Sequence, residues 1–274
     1  MNRMNPKKEL IILKLGGSVI TRKSEDKAEV HGENLKRLAG EIAKAKEKRN
    51  FSLVIVHGAG PFGHVPAKRY GLDKGIKDER QLKGFALTHQ SMEKLNYFVV
   101  DELGKAGVNA VAYQPSAVGI LKNSKLIYFP TIVMEELISL DVVPVAYGDV
   151  LVDEETGVNI LSGDHLVPYL AEALNAERVV MAADVPGIFD SDPKINKDAK
   201  LIKEINPGNI GRIKEIGSSQ GTDVTGGMER KLSELLRLAE SGIESEIINA
   251  IKPGLLKKAL LGEKGLGTII KTNP

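Results

Sequence analysis

Three short segments combine glycines with a basic side chain, a pairing that brings backbone N–H groups and a cation onto one anion. The first, Lys14-Leu15-Gly16-Gly17-Ser18, closes an apolar run. It is not a Walker A loop, in which the lysine follows the last glycine; Lys14 precedes both glycines, so any phosphate geometry here differs. Taken alone, the segment also fits a strand ending in a tight turn. The second, His57-Gly58-Ala59-Gly60-Pro61-Phe62-Gly63-His64, contains the G-x-G-x-x-G spacing, and Asp73, Asp78 and Glu79 lie 10 to 16 residues past Gly63. A dinucleotide fingerprint belongs on the first strand-to-helix turn and is followed by a strand ending in an acidic residue. Here it follows the second strand, and 71–80 reads as polar loop, which favours a phosphate-binding turn without dinucleotide meaning. The third, Asp223-Val224-Thr225-Gly226-Gly227-Met228-Glu229-Arg230-Lys231, places paired glycines at a helix start, with Lys231 one turn further in. Three such turns in one chain suggest a pair of phosphate-rich ligands.

Phosphoryl transfer between such ligands needs charge neutralisation and in-line positioning. A phosphate monoester has a second pKa of about 6, so its attacking oxygen is already largely deprotonated at neutral pH and no general base is required. His64 then reads either as a hydrogen-bond donor to an acceptor phosphate or as a plain helix-start residue. Asp164, near a predicted helix start, competes with an ordinary N-cap role. His57 reads as a structural residue at a strand end, while His31, His89 and His165 show no functional signal. Asp149 and Asp153 read as shaping a hairpin. The stripe Phe85, Met92 and Val99 reads as core, although an apolar ligand tail would need such a wall. No carboxylate cluster resembles a dedicated metal cage.

Short β-branched runs alternate with longer amphipathic stretches, the pattern of a mainly parallel sheet covered by helices. LIILKL (10–15) and SLVIVH (52–57) are predicted as buried strands, separated by a helix over 34–48 with Leu35, Leu38, Ile42 and Ala45 at helical spacing. A long helix over 79–105 carries Leu82, Phe85, Ala86, Met92, Leu95, Val99 and Leu103 on one side and leads to a strand near 108–113. The runs at 125–129, 142–153 and 158–163 suggest hairpins beside the main sheet. A helix follows Gly163, then a strand over 177–184, a turn-rich 184–193 and a polar connection over 196–220. A helix from Thr225 to about Ser241 and strands at 244–250 and 267–271, around a short helix, close the chain. The absence of a repeat or flexible linker favours one domain with two lobes.

Composition bounds the partners. The 274 residues are 42% hydrophobic and 27% charged with a net charge of +2, an ordinary globular balance. With no cysteine, thiolate catalysis, disulfides and Cys-based zinc sites are excluded. Only 6 Tyr and 6 Phe, without Trp or a basic block, argue against a nucleic-acid surface. The apolar run behind the basic start is too short for a signal peptide, and no run approaches the roughly 18 residues of a membrane span.

In their order, KLGGS, HGAGPFGH, SGD, AADVPGIF and DVTGGMERK resemble the amino acid kinase superfamily, and YGDVLVD, DVTGGM and ESEIINA narrow the resemblance to archaeal-type isopentenyl phosphate kinases. It covers residues 14–271. Most specific is His64, since relatives acting on amino acids or UMP generally lack a histidine there. The resemblance implies an open αβα sandwich with a mainly parallel sheet, a cytoplasmic homodimer, an acceptor lobe over about 1–170 and an ATP lobe over about 171–274. It implies ATP-dependent transfer to isopentenyl phosphate, with Mg²⁺ held mainly by ATP oxygens; another small phosphate or phosphonate is the alternative acceptor. Lys14, Gly16, Gly17 and Ser18 would face the transferring phosphates, and Lys23 would support the transition state. Ala59, Gly60, Gly63, His64 and Gly163 would cradle the acceptor phosphate, with Gly60 also touching the nucleotide side. Asp164 would orient Lys14 and Lys231, and Asp184, Phe189, Gly227 and Lys231 would border ATP. Departures are Pro61 where Ser is common, Pro186 where a polar residue is frequent and Phe189 where Tyr is often found. Two readings from other classes are a nucleotide-binding regulatory module without turnover, which Lys14, Asp164 and Lys231 argue against, and a dinucleotide oxidoreductase.

Overall fold

The computed structural model describes residues 8–22, 28–191, 193, 196–210 and 227–272, with the side chains of 227–231 excepted. Every residue of β1 (Leu10–Leu15) is buried, as expected of a strand covered on both faces. It pairs in parallel with β2 (Ser52–His57) on one side and β9 (Arg178–Ala183) on the other. Outside β2 lie β6 (Val143–Tyr147) and then the edge strand β3 (Ala110–Ala112). Outside β9 lie β11 (Glu244–Asn249), β12 (Thr268–Ile270) and β10 (Glu204–Ile205). The β11–β12 pairing is antiparallel, and the other described pairings of this sheet are parallel.

Strand periodicity divides the core in two. Ile11, Leu13 and Leu15 face α1 (Gly17–Ile20), α2 (Gly32–Lys48), α3 (Gly60–Tyr70), α4 (Glu79–Lys105) and α8 (Leu255–Leu260). Leu10 and Ile12 face α5 (Ile132–Ser139), α6 (Gly163–Ala173) and α7 (Gly227–Glu240). The expected αβα sandwich is therefore present, and Lys14, in phase with Leu10 and Ile12, is directed to the α6 side. Helix starts follow local chemistry. His31 Nδ1 accepts the Asn34 N–H at 3.4 Å to cap α2, and Asp78 and Gln81 form a reciprocal capping box on α4.

Several expectations need correction. The run 142–153 does not lie wholly beside the main sheet: Val143–Tyr147 is a main-sheet strand, and the chain breaks at Gly148 into β7 (Asp149–Asp153). β7 joins β8 (Gly157–Leu161), β4 (Ile120–Lys122) and β5 (Lys125–Tyr128) in a second sheet. The segment 71–80 is not all loop, since Leu72–Lys74 forms a 3-10 turn. Leu82 and Ala86 face solvent while Gly84 and Thr88 are buried, so the inward stripe of α4 departs from the predicted one over its first turns and coincides with it at Met92, Leu95, Val99 and Leu103.

Asp153 secures the second sheet. Its carboxylate accepts N–H bonds from Asn123 at 3.2 Å, Ser124 at 2.7 Å, Glu155 at 3.0 Å and Thr156 at 3.1 Å, tying the β4–β5 turn to the β7–β8 turn. Burial pushes this carboxyl up, but the backbone donors outweigh burial and hold it below the usual carboxylate range. A depressed folded value contributes stability above the unfolded value of about 3.9, and that contribution is lost as pH falls through the folded one. Asp153→Ala is expected to cost about 1–3 kcal/mol at neutral pH, with the gap to wild type closing in strong acid. Melting curves from pH 7 to 2 check this; a gap independent of pH would show that the carboxylate is not its source.

Candidate active site

The ends of the parallel strands are tethered in series. Gly16 N–H donates to Ala182 O at 2.8 Å, Gly58 N–H to Leu15 O at 2.8 Å, and Gly148 N–H to His57 O at 3.0 Å. Gly16, Gly58 and Gly148 thus each lie one residue past a strand, at the carboxyl ends where open α/β sheets bind ligands. A cleft of about 1230 Å³ opens there. Its lining includes the first residues of three helices: Gly17 and Ser18 of α1, Gly60 and Pro61 of α3, and Gly163 and Asp164 of α6. The first N–H groups of a helix have no intrahelical acceptor and carry the positive end of its dipole, so this convergence favours anions. Pro61, without an N–H, removes one donor from the cradle.

The two N-terminal glycine segments pack backbone against backbone. A Cβ on Gly58 would lie 2.6 Å from Gly17 N, a separation no side chain tolerates. Gly60 has φ +51, and its ideal Cβ would collide with the Thr21 side chain at the end of α1. His57 anchors this contact from below. It is buried and stacked on Tyr147 with ring centroids 5.3 Å apart. Its Nδ1–H donates to Gly58 O at 3.0 Å, while Nε2 faces the Asn96 amide at 3.1 Å. Burial pushes its pKa down to about 4, so the anchor is neutral at physiological pH. The structural role read for His57 is what the geometry supplies.

Lys14 extends from β1 into the cleft and is 7% exposed. Its ammonium is paired with the Asp164 carboxylate, and its stem passes the α6 start, where a Cβ on Gly163 would lie 3.5 Å from Lys14 Cε. A buried ammonium requires such a partner. Ser162 takes the N-cap position of α6, its Oγ accepting from His165 N at 3.3 Å, which leaves Asp164 for Lys14. His64 is exposed one turn into α3 and lines the cleft, as do Ala59, Gly63 and Asp184. Phe189 is absent from the lining; it bridges to Leu201 in a short antiparallel pair. Lys23 lies outside the described residues, as does the segment 223–226. Gly227 opens α7, and Lys231 falls within that helix, its side chain outside the described set.

The cleft continues into an apolar region formed by Val65, Ala67, Met92, Val150, Ile160 and Leu161. Of the stripe Phe85, Met92 and Val99, Met92 alone reaches it: Val99 is buried in the core, and Phe85 packs on Ala67, Leu72 and Val150. Val150 and Ile160 gave no sequence signal as site residues, because alternating β-branched residues read as hairpin core whether or not a cavity lies beneath. Thr88, Lys68 and Arg69 also line the cleft without having been singled out. Among the described residues no group of three or more His, Asp or Glu side chains is gathered as a metal cage.

A sheet carrying Lys14 and glycine turns at its carboxyl ends defines a phosphate-handling α/β protein, and the family comparison agrees: the model of the amino acid kinase family matches residues 9–249. The chain belongs to the amino acid kinase family. Its relatives there include the isopentenyl phosphate kinase of Methanothermobacter thermautotrophicus, 42% identical over 95% of this chain and 98% of the relative. That of Methanocaldococcus jannaschii is 36% identical over 93% and 96%. An X-ray structure of isopentenyl phosphate kinase superposes with a TM-score of 0.82 at 40% identity, covering 95% of this chain and all of the other.

Proposed function

We propose that this chain is an ATP-dependent kinase that converts isopentenyl phosphate to isopentenyl diphosphate, releasing ADP, in an alternative mevalonate route of isoprenoid biosynthesis. The supporting observation is the junction, within one cleft, of an anion-binding end and an apolar end. The acceptor phosphate rests on Ala59, Gly60 and Gly163 with His64 donating to it, while the tail lies along Met92, Val150 and Ile160. ATP phosphates lie over Gly16, Gly17 and Ser18, bordered by Asp184. This divides the single domain into an acceptor lobe over about 1–170 and an ATP lobe over about 171–274. Lys14, oriented by Asp164, faces the transferring group from below. An acceptor oxygen bonds to the γ-phosphorus as the bridging oxygen departs with ADP, and the acceptor needs no deprotonating residue.

The relatives' chemistry extends this reading to Lys23 as a support for the transition state and to Gly227, Lys231 and Phe189 as borders of the nucleotide. Mg²⁺ enters on ATP oxygens and adds charge neutralisation. Among the described residues no helix is long and apolar enough to cross a membrane, and we place the enzyme in the cytoplasm with no nucleic-acid partner. We assign it a homodimer. The exposed Ile127, Tyr128, Ile132 and Val133 offer an apolar face for the second copy, and a monomeric mass in solution would remove that assignment.

Phosphorus NMR of the protein with Mg-ATP and isopentenyl phosphate tests the reaction: loss of the monophosphate signal and growth of a coupled diphosphate pair are expected. Turnover of a phosphonate or another phosphate in preference to isopentenyl phosphate would overturn the acceptor. His64→Ala is expected to raise the acceptor KM by about 10- to 100-fold, the worth of a charge-assisted hydrogen bond, with the ATP KM nearly unchanged. An equal loss of ATP affinity would place His64 on the nucleotide side.

A further inference from the structure

His89 and Asp149 form a polar junction beside the apolar end of the cleft. His89 projects from α4, with Nδ1 3.1 Å from Asp149 Oδ2 and 3.2 Å from Ser116 Oγ. Its Nε2 faces the Gln114 amide at 3.1 Å and Glu93 Oε1 at 3.5 Å. Asp149 is the first residue of β7; its side chain is fully buried, and it also accepts the Val150 N–H at 2.9 Å. A carboxylate so placed is tolerated when paired. The two elements it joins both build the cleft: α4 contributes Thr88 and Met92, and β7 contributes Asp149 and Val150. We infer that His89 is a positioning residue which pins α4 to β7 and so sets the width of the apolar end, governing how firmly an isoprenoid tail is held and how long a tail is admitted. This rests on the acceptor assigned above.

The junction is titratable. The hydrogen bond to Asp149 raises the imidazole pKa above its ordinary value; burial opposes this, and the charges of Asp149 and Glu93 reinforce it. Asp149 faces the ring from β7 and Glu93 from the next turn of α4, while the 114–116 segment presents the uncharged Gln114 and Ser116. Tyr147 on β6, whose phenol burial pushes up, remains neutral. A raised value means that the imidazolium–carboxylate pair is fully formed below the ordinary 6.5 and is lost as pH rises through the folded value. A weaker neutral hydrogen bond then remains.

Wild type, His89→Ala and His89→Gln are compared for isopentenyl phosphate and ATP from pH 6 to 9, with geranyl phosphate as a longer acceptor. His89→Ala is expected to raise the isopentenyl phosphate KM about tenfold near pH 6.5, leave the ATP KM unchanged and shift preference toward geranyl phosphate. His89→Gln, which keeps a donor to Asp149 without the charge, should recover part of the loss. The variant-to-wild-type KM ratio, in which titration of the acceptor itself cancels, should fall as pH rises. An unchanged acceptor KM and tail preference in both variants overturns the inference, as does an equal rise in the ATP KM. Failure of wild type to phosphorylate isopentenyl phosphate overturns the function and this inference with it, an outcome told apart by the wild-type control.

Discussion

Lys14→Met should reduce kcat by at least about 10²- to 10³-fold, the usual cost of deleting one preorganised donor at developing transition-state charge. The fold should survive. Met keeps most of the stem volume along Gly163, and Asp164 has 29% of its side-chain surface open to water, so the carboxylate left behind can be solvated. Lys14→Arg should restore little, because the planar guanidinium is bulkier than the ammonium and spreads its charge over a wide fork where Lys14 presents a compact point charge. The decisive comparison is kcat against Tm. A fall in Tm large enough to unfold the protein at the assay temperature would make Lys14 a structural residue.

The second large effect should come from Gly17→Val, which introduces no charge and removes none. Its Cβ would lie 3.0 Å from Gly60 Cα and nearer still to Gly60 N, and backbone atoms cannot turn aside as a flexible side chain can. Overpacking of this kind costs about 1–3 kcal/mol, or about 5 °C of Tm for a chain of this length. The loss of activity should exceed the loss of stability, at about 100-fold or more, because separating the two glycine segments by an ångström misplaces donor and acceptor phosphates together. Gly40→Ala in α2, where nothing lies within 4 Å of the new carbon, is the matched control and should be stabilising by about 1 kcal/mol. Equal outcomes at positions 17 and 40 would show that the close approach of the two segments is not a constraint.

Regular periodicity was legible where burial is one-sided or complete. The all-buried β1 and β2 and the amphipathic α2 follow directly from Leu, Ile and Val spacing. α5 was not, because Ile132 and Val133 face solvent at 63% and 53% exposure and leave no polar stripe to mark a helix. The division of 142–153 between two sheets was equally hidden. The strand reads as continuous on both sides of Gly148, and only packing against β2 on one side and β8 on the other separates its halves. For the site, glycine beside lysine marked the anion-binding end, since that chemistry is local in sequence. The pairing of Lys14 with Asp164 was implied by resemblance and is present in the structure. The His89 junction draws on residues 89, 93, 114, 116 and 149, which are scattered along the chain, and of these Asp149 alone had a reading, as a hairpin residue.

The central place of β1 has a consequence for how the chain folds. Leu15 is paired with His57 on one flank and with Ala182 on the other, so the strand bearing Lys14 is completed by partners near and very distant in sequence. Long-range parallel pairing closes slowly because a large loop must be ordered before any contact rewards it. During synthesis, the β1–β2 unit and its helices can assemble early, but the strand keeps an open, apolar edge until β9 has left the ribosome. The parts of the chain before and after residue 170 are therefore not separable modules: a chain cut between them would present β1 as a sticky edge, and co-expressed halves would have to find each other before aggregation consumed the first.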